Sequence, residues 1–236
     1  MRNLIEPEEI AVVLTGNENK KTVREISKVA CWIELRIDCF CEKFPGRNFC
    51  EWAKIIRNLT DAKIIGTVRW HRERQNSDFI ISDKERIEIY QAIAEYVDFF
   101  DIEIKSKILE KVVKIARQNK KRLILSYHNF KKTPSCGKLI SICDEANHFN
   151  PDIIKLATVV KTKKDLFNLV SIFVLRKRKF DVVIVPMGAG ILERIVPIAF
   201  GSLFTYFAAE QKTAPGQPSL DQIFKVLPMY PSRTRT

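Results

Sequence analysis

Residues 99–128 read FFDIEIKSKILEKVVKIARQNKKRLILSYH, and this stretch decides the fold. Its two ends, Phe99–Ile104 and Leu123–His128, are short runs rich in Phe, Ile and Leu. Runs of that length and composition suit strands buried on both faces, as in a parallel sheet. Between them, Ile108, Val112 and Ile115 fall on one face of Lys107–Asn119, with charged residues between. That spacing predicts an amphipathic helix, with Ser106 placed as its N-cap. The unit is therefore strand, helix, strand.

The same alternation extends in both directions. Before the unit, strands are predicted at Ile10–Leu14, Trp32–Asp38 and Lys63–Arg69. After it they are predicted at Ile153–Thr158, Asp181–Met187 and Leu203–Ala208. Helical spacing separates them at Thr22–Ala30, Phe49–Leu59, Asp83–Val97, Gly137–Asn147, Lys163–Lys177 and Leu192–Ala199. Asp83 stands where the N-cap of its helix would be. Eight strands alternating with helices predict an α/β fold, a (β/α)8 TIM barrel, with a doubly wound open sheet as the alternative. The expected organisation is one catalytic domain over residues 1–229 and a polar tail, YPSRTRT, over 230–236.

Composition narrows the function. The chain has 236 residues, 46% of them hydrophobic, which is too apolar for a disordered chain. No apolar run approaches the roughly 18 residues needed to span a bilayer. The N-terminus, MRNLIEPEEIAVVLTG, carries acids where a signal peptide needs an uninterrupted apolar stretch. A cytoplasmic protein without membrane partners is expected. The six cysteines form no C-x-x-C pair, and Cys39-x-Cys41 is too tight for a usual zinc spacing, so free thiols are expected. The net charge of +12 raises nucleic acid as a partner. Against it, the chain has no zinc-finger spacing, no aromatic RNA-binding stripe and no basic amphipathic arm. Its basic residues scatter over predicted helices, apart from the run Arg176–Lys179, which reads as a solvated loop. No specific nucleic acid is expected.

In a barrel of this kind the active site lies at the C-terminal ends of the strands. The polar residues there are chemically coherent. Glu34, Arg36 and Asp38 share one face of the second predicted strand, and Arg69 closes the third. Asp101 and Glu103 share a face of the fourth, and Ser126 and His128 a face of the fifth. Lys155 lies inside IIKLAT, sharing a face with Ile153 and Ala157. An ammonium there is costly to bury without a partner. A lysine so placed is either a snorkelling edge residue or an amine nucleophile. A Glu-x-Arg pair can equally be an internal ion pair, and a strand-ending histidine a structural one. Together they suggest a reaction: an amine attacks a ketone to form an imine, and an imidazole moves the proton of the acidified neighbouring C–H. Arginines would hold an anionic substrate through paired hydrogen bonds.

Ordered landmarks then carry a resemblance. They are ELRID (34–38), TVR (67–69), FDIEI (100–104), SYHNF (126–130) with a following TP, and DIIKLAT (152–158). MGAG (187–190) with a following Arg, GS (201–202) and APGQ (214–217) complete the set. In this order and spacing the chain resembles the type I 3-dehydroquinate dehydratases, from about Ile10 to Ile223. The resemblance implies dehydration of 3-dehydroquinate to 3-dehydroshikimate by syn elimination, without metal or organic cofactor, in a protein that is often a homodimer. It implies Lys155 as the Schiff-base lysine and His128 as the general acid/base. Glu73 would orient that histidine. Glu34, Arg36 and Arg69 would bind the ring hydroxyls, and Arg194 and Gln217 the carboxylate, with Thr213 assisting.

The chain departs from the family pattern in three places. The usual Glu-Gly-Gly after the third strand is here Glu73-Arg74-Gln75, so both glycines are gone. Thr213 stands where serine is usual, keeping the hydroxyl, and Pro186 precedes Met187-Gly188. His71 is an extra imidazole, expected to face solvent. Gly216 after Pro215 fits a tight turn with positive φ, aiming Gln217 at the substrate or closing a lid over it. Another lysine-imine barrel enzyme, such as a class I aldolase, also needs Lys155, although SYHNF and APGQ fit the dehydratase. A barrel that has lost activity stays open on the altered loop around Glu73.

Overall fold

Eight parallel strands run in the order β7-β6-β5-β4-β3-β2-β1-β8 and curl until β7 and β8 approach each other. There the Leu203 N–H donates to the Val182 carbonyl at 3.0 Å, so the sheet is a nearly closed (β/α)8 barrel and not the open alternative. The structure, a computed structural model, describes residues 5–74, 78–176 and 180–222. The strands are β1 (Ile10–Leu14), β2 (Trp32–Arg36), β3 (Lys63–Thr67), β4 (Phe99–Glu103), β5 (Arg122–Asn129), β6 (Ile153–Val159), β7 (Asp181–Met187) and β8 (Thr205–Ala208). The α-helices between them are α1 (Lys20–Ile26), α2 (Ile37–Lys43), α3 (Phe49–Leu59), α4 (Asp83–Ile93), α5 (Leu109–Gln118), α6 (Cys136–Asn147), α7 (Lys163–Val170), α8 (Ile172–Leu175) and α9 (Ile191–Ala199).

Period-2 alternation sorts each strand into two cores. Val12, Ile33, Ile102, Leu125 and Ile154 face outward and pack under the helices against Val23, Ile93, Val112 and Leu139. Val13, Ile65, Phe99, Ile124, Val183 and Tyr206 face the barrel interior. Each fully buried aliphatic or aromatic side chain contributes about 1.5–3 kcal/mol, so both layers stabilise the closed sheet. The alternation also sends Glu34, Asp101, Ser126 and Lys155 inward, because each shares parity with an inward apolar residue of its own strand. Gly66 lies on the outer side, where a Cβ would meet Ile93 Cδ1 at 2.7 Å, so its lack of a side chain leaves room for the helix layer to lie close.

The helices start where local chemistry caps them. Asn48 accepts from the Cys50 and Glu51 N–H groups at the start of α3, and Ser135 from Lys138 at the start of α6. Thr162 and Asp165 form a reciprocal box on α7. Such caps are worth about 1 kcal/mol each.

Several boundaries differ from expectation. The cap of α4 is Ser82, in a capping box with Glu85, and not Asp83, which is the first helical residue. Ser106 does not cap α5; the cap position is Ile108, and the Ser106 hydroxyl accepts from Arg86. The second strand ends at Arg36, and Asp38 lies in the first turn of α2, an unforeseen helix. The alternation of WIELRID runs on past the true strand end. A carboxylate in a helix's first turn is favoured by the helix dipole, and Asp38 there takes both Arg36 Nε and Nη2 at 2.9 and 2.7 Å. The helix expected over Thr22–Ala30 covers Lys20–Ile26, and that over Lys163–Lys177 divides at Ser171. Residues 177–179 of the basic run and the tail 230–236 lie outside the described residues. All six cysteines are free thiols, and no described helix is long and apolar enough to cross a membrane.

Candidate active site

One cavity at the C-terminal end of the barrel is lined by Glu34, Arg36, Arg69, Glu73, His128, Lys155, Arg194, Thr213 and Gln217, the nine residues to which the resemblance gives a role. The β5–β6 register sets Ser126 beside Lys155 and His128 beside Ala157, so His128 stands one inward layer above the lysine. Lys155 is 5% exposed. Its Nζ donates to Asp101 Oδ2 at 2.8 Å and Glu34 Oε1 at 3.3 Å, and lies 4.2 Å from the centre of the Tyr206 ring. The expected arginines line the same cavity without contacting this amine. The groups that touch it are instead two carboxylates and an aromatic face.

His128 Nδ1 is 2.8 Å from Glu73 Oε2, and its ring stacks on Phe130. Burial, reinforced by the positive charges of Arg69 and Lys155, holds the imidazole well below its ordinary pKa. It is therefore neutral near pH 7. With Nδ1–H donated to the carboxylate, Nε2 carries the lone pair. Burial also pushes Glu73 up, to about 7, helped by the neighbouring charge of Glu103 and opposed by Arg69.

Beneath these groups lies a network built around Arg69. Its Nη1 donates to Glu103 Oε1 at 3.1 Å and Ser126 Oγ at 2.8 Å, and its Nη2 to Asp101 Oδ1 at 2.9 Å. Glu103 also accepts from the Trp70 N–H and, at 2.6 Å, from Arg86, which donates further to the Val68 carbonyl. Burial raises the Asp101 carboxyl, but Arg69 and Lys155 outweigh it and hold the group well below the usual range. Glu34 accepts from Thr67 Oγ1 at 2.7 Å. Buried charges persist only when paired and hydrogen-bonded in this way.

Arg194 is different. It is fully buried on α9, and its Nη2 donates to the Pro215 carbonyl at 2.6 Å, while Nε and Nη1 have no hydrogen-bond partner among the described residues. Among the described residues no carboxylate pairs with it, and burial lowers its pKa to about 10. Above it, Thr213 donates to Gln217 Oε1 through both its N–H, at 2.8 Å, and its hydroxyl, at 3.1 Å. The expected turn is present: Gly216 has φ +62°, and a Cβ there would lie 3.1 Å from the Ala189 carbonyl oxygen. The Gly188 N–H donates to the Pro215 carbonyl, so this segment is docked onto the end of β7. Gln217, expected to face the substrate, thus has its oxygen committed to bracing this segment.

His71 does not line the cavity. It is half-buried against Trp70, with Nδ1 sealed and unpartnered, and not the solvent-facing residue expected. Reading from sequence placed Asp101 and Glu103 at the active-site end of the barrel without giving them a role, and passed over Tyr206. The shared inward face of Asp101 and Glu103 was the available signal; nothing local marked Tyr206, whose hydroxyl is also buried without a partner. Among the described residues, no group of three or more His, Cys, Asp or Glu side chains is arranged to hold a metal ion.

Comparison with known proteins agrees with this geometry. The family model described as type I 3-dehydroquinase matches residues 10–232. The chain is 37% identical over 222 residues to a 3-dehydroquinate dehydratase of Thermodesulfovibrio yellowstonii, covering 92% of this chain and 95% of that one. It is 30% identical to the 3-dehydroquinate dehydratase of Thermococcus onnurineus, covering 92% and 96%. A crystal structure of a type I 3-dehydroquinate dehydratase from Clostridium difficile, with covalently modified comenic acid, superposes with a TM-score of 0.78 at 26% identity, covering 96% and 93%. With the family model spanning nearly the whole chain and the barrel bearing its landmarks on one cavity, this protein belongs to the type I 3-dehydroquinase family.

Proposed function

We propose that this chain is a 3-dehydroquinate dehydratase working through a lysine imine. The observation that carries the reading is Lys155 and His128 in one cavity with the buried, uncompensated guanidinium of Arg194. A cation left unpaired in the interior calls for an anionic ligand, and the substrate carboxylate supplies it. The free amine of Lys155 attacks the C3 ketone, and water leaves as the imine forms. The protonated imine draws electron density and acidifies the C2 proton. Neutral His128 takes that proton at Nε2, with Glu73 accepting Nδ1–H and stabilising the imidazolium that results. The electron pair of the C2–H bond becomes the new C1–C2 double bond as the C1 hydroxyl departs, taking the proton back from His128 as water. Hydrolysis of the imine releases 3-dehydroshikimate and frees Lys155. Glu34, Arg36 and Arg69 would meet the ring hydroxyls, and Thr213 and Gln217 would close the pocket over the carboxylate.

No step calls on a metal or an organic cofactor. The same reading takes the chain as a homodimer in the cytoplasm, and light scattering of the purified protein tests the first of these. The decisive assay is the appearance of enone absorbance on adding dehydroquinate, with borohydride trapping the substrate on Lys155 as a mass increase. Absence of both removes the proposal.

A further inference from the structure

We propose that Arg74 is a positioning residue: it pins the segment carrying Glu73 to α2 and so keeps Glu73 against His128. This rests on the role given to Glu73 above. Residues 71–73 form a single 3-10 turn, closed by the Glu73 N–H on the Trp70 carbonyl and the Arg74 N–H on the His71 carbonyl. One turn of that kind does little to fix its own orientation. The fixing element is the next side chain. The Arg74 side chain is 5% exposed, with Nε 3.2 Å from Asp38 Oδ2 and Nη2 bonded to Glu42.

Asp38 and Glu42 are one helical turn apart on α2, so the planar guanidinium lies along that helix at two points. A two-point attachment sets direction as well as distance. The ring of Phe79 lies 6.0 Å from the guanidinium carbon. Asp38 is fully buried and is shared with Arg36, whose charge, after the opposing effect of burial, holds the carboxyl below its usual range together with that of Arg74. The anchor is thus itself rigid. Arg74 does not line the cavity that holds Lys155; it lines a neighbouring one, between α2 and residues 211–216. It therefore acts through Glu73.

The test is a cycle of Arg74→Gly, Glu73→Gln and the double variant, with Arg74→Lys as the conservative replacement, all assayed for dehydroquinate turnover across pH. Arg74→Gly is expected to lower kcat about ten- to hundredfold while changing KM less than about threefold, the usual scale for a displaced proton-transfer group. Its acid limb should move below the position set by buried Glu73, because a loosened loop admits water to that carboxyl. Arg74→Lys should recover part of kcat, keeping a charge but only one point of attachment. The double variant should turn over no more slowly than Glu73→Gln, since the two residues act as one unit. Multiplying effects, a change in KM alone, or wild-type kcat and pH profile in Arg74→Gly would each overturn the inference while leaving a slow Glu73→Gln and the Glu73 role intact. Wild-type turnover in Glu73→Gln would remove that role and the inference with it. If Arg74→Gly does not fold, Arg74→Lys carries the same readouts.

Discussion

Two arginines of one cavity have opposite surroundings. Arg69 reaches two carboxylates and a serine hydroxyl, each held in turn by a neighbour such as Arg86 or Lys155. Arg194, equally buried, has one backbone carbonyl and two unpartnered nitrogen atoms. The floor of the pocket is complete without a ligand, and its role is to fix Lys155, Glu34 and the loop that bears Glu73. At the rim, Arg194 offers two N–H-bearing nitrogens without partners among the described residues, which suits an anion. The difference teaches that a buried charge with its partners holds the site in shape whether or not it also meets substrate, whereas one without them is suited to hold an anion.

The contrast can be broken or sharpened experimentally. Lys155→Ala should lose turnover and borohydride trapping altogether; residual trapping at wild-type stoichiometry would place the imine elsewhere. His128→Ala should slow turnover by about 10³-fold, the usual scale of a lost general base, and a near-normal kcat would remove it from the reaction. Arg69→Met should cost about 3–5 kcal/mol of folding stability by leaving buried carboxylates short of a partner, seen as a melting temperature lower by about 10 °C.

Arg194→Met should do the reverse. Without substrate its melting temperature should not fall, because an uncompensated cation leaves the interior. Its kcat/KM should fall about a hundredfold, mainly through KM. A destabilised Arg194→Met protein would show that this arginine, too, belongs to the architecture. The smallest expected effect is on pH dependence. Glu73 stabilises the imidazolium of His128 by charge only when ionised, so kcat/KM should rise with pH through about 7, where burial has moved that carboxyl. His128, held neutral, adds no limb at its ordinary pKa. Glu73→Gln should flatten the limb and lower kcat about tenfold; an unchanged limb would assign it to another group.

Much of this site is legible in the sequence because a strand has a strict period of two. Once IIKLAT is read as a strand with Ile153 inward, Lys155 must point inward too, whatever packs around it. Asp101, Ser126 and His128 follow from the same parity. The reading loses accuracy where local pattern and tertiary demand diverge. WIELRID alternates through Asp38, yet the strand ends at Arg36, because Asp38 serves Arg36 and Arg74 from the first turn of a helix. Ser106 has the chemistry of a cap but is drawn to Arg86.

The chain alone therefore determined the alternation of strands and helices, the inward parity of each polar residue, and the order of the landmarks that mark the family. These are properties of near neighbours along the chain, set by backbone geometry and side-chain spacing. Tertiary structure decided the partners. Glu34 meets Lys155 across 121 positions and Glu73 meets His128 across 55, and no local pattern encodes such meetings. It also decided that two carboxylates touch the lysine, that Arg74 grasps a helix, and that Arg194 has no counter-ion among the described residues. Charge compensation is a property of the folded interior, where each buried group is satisfied or left wanting by what the barrel brings beside it.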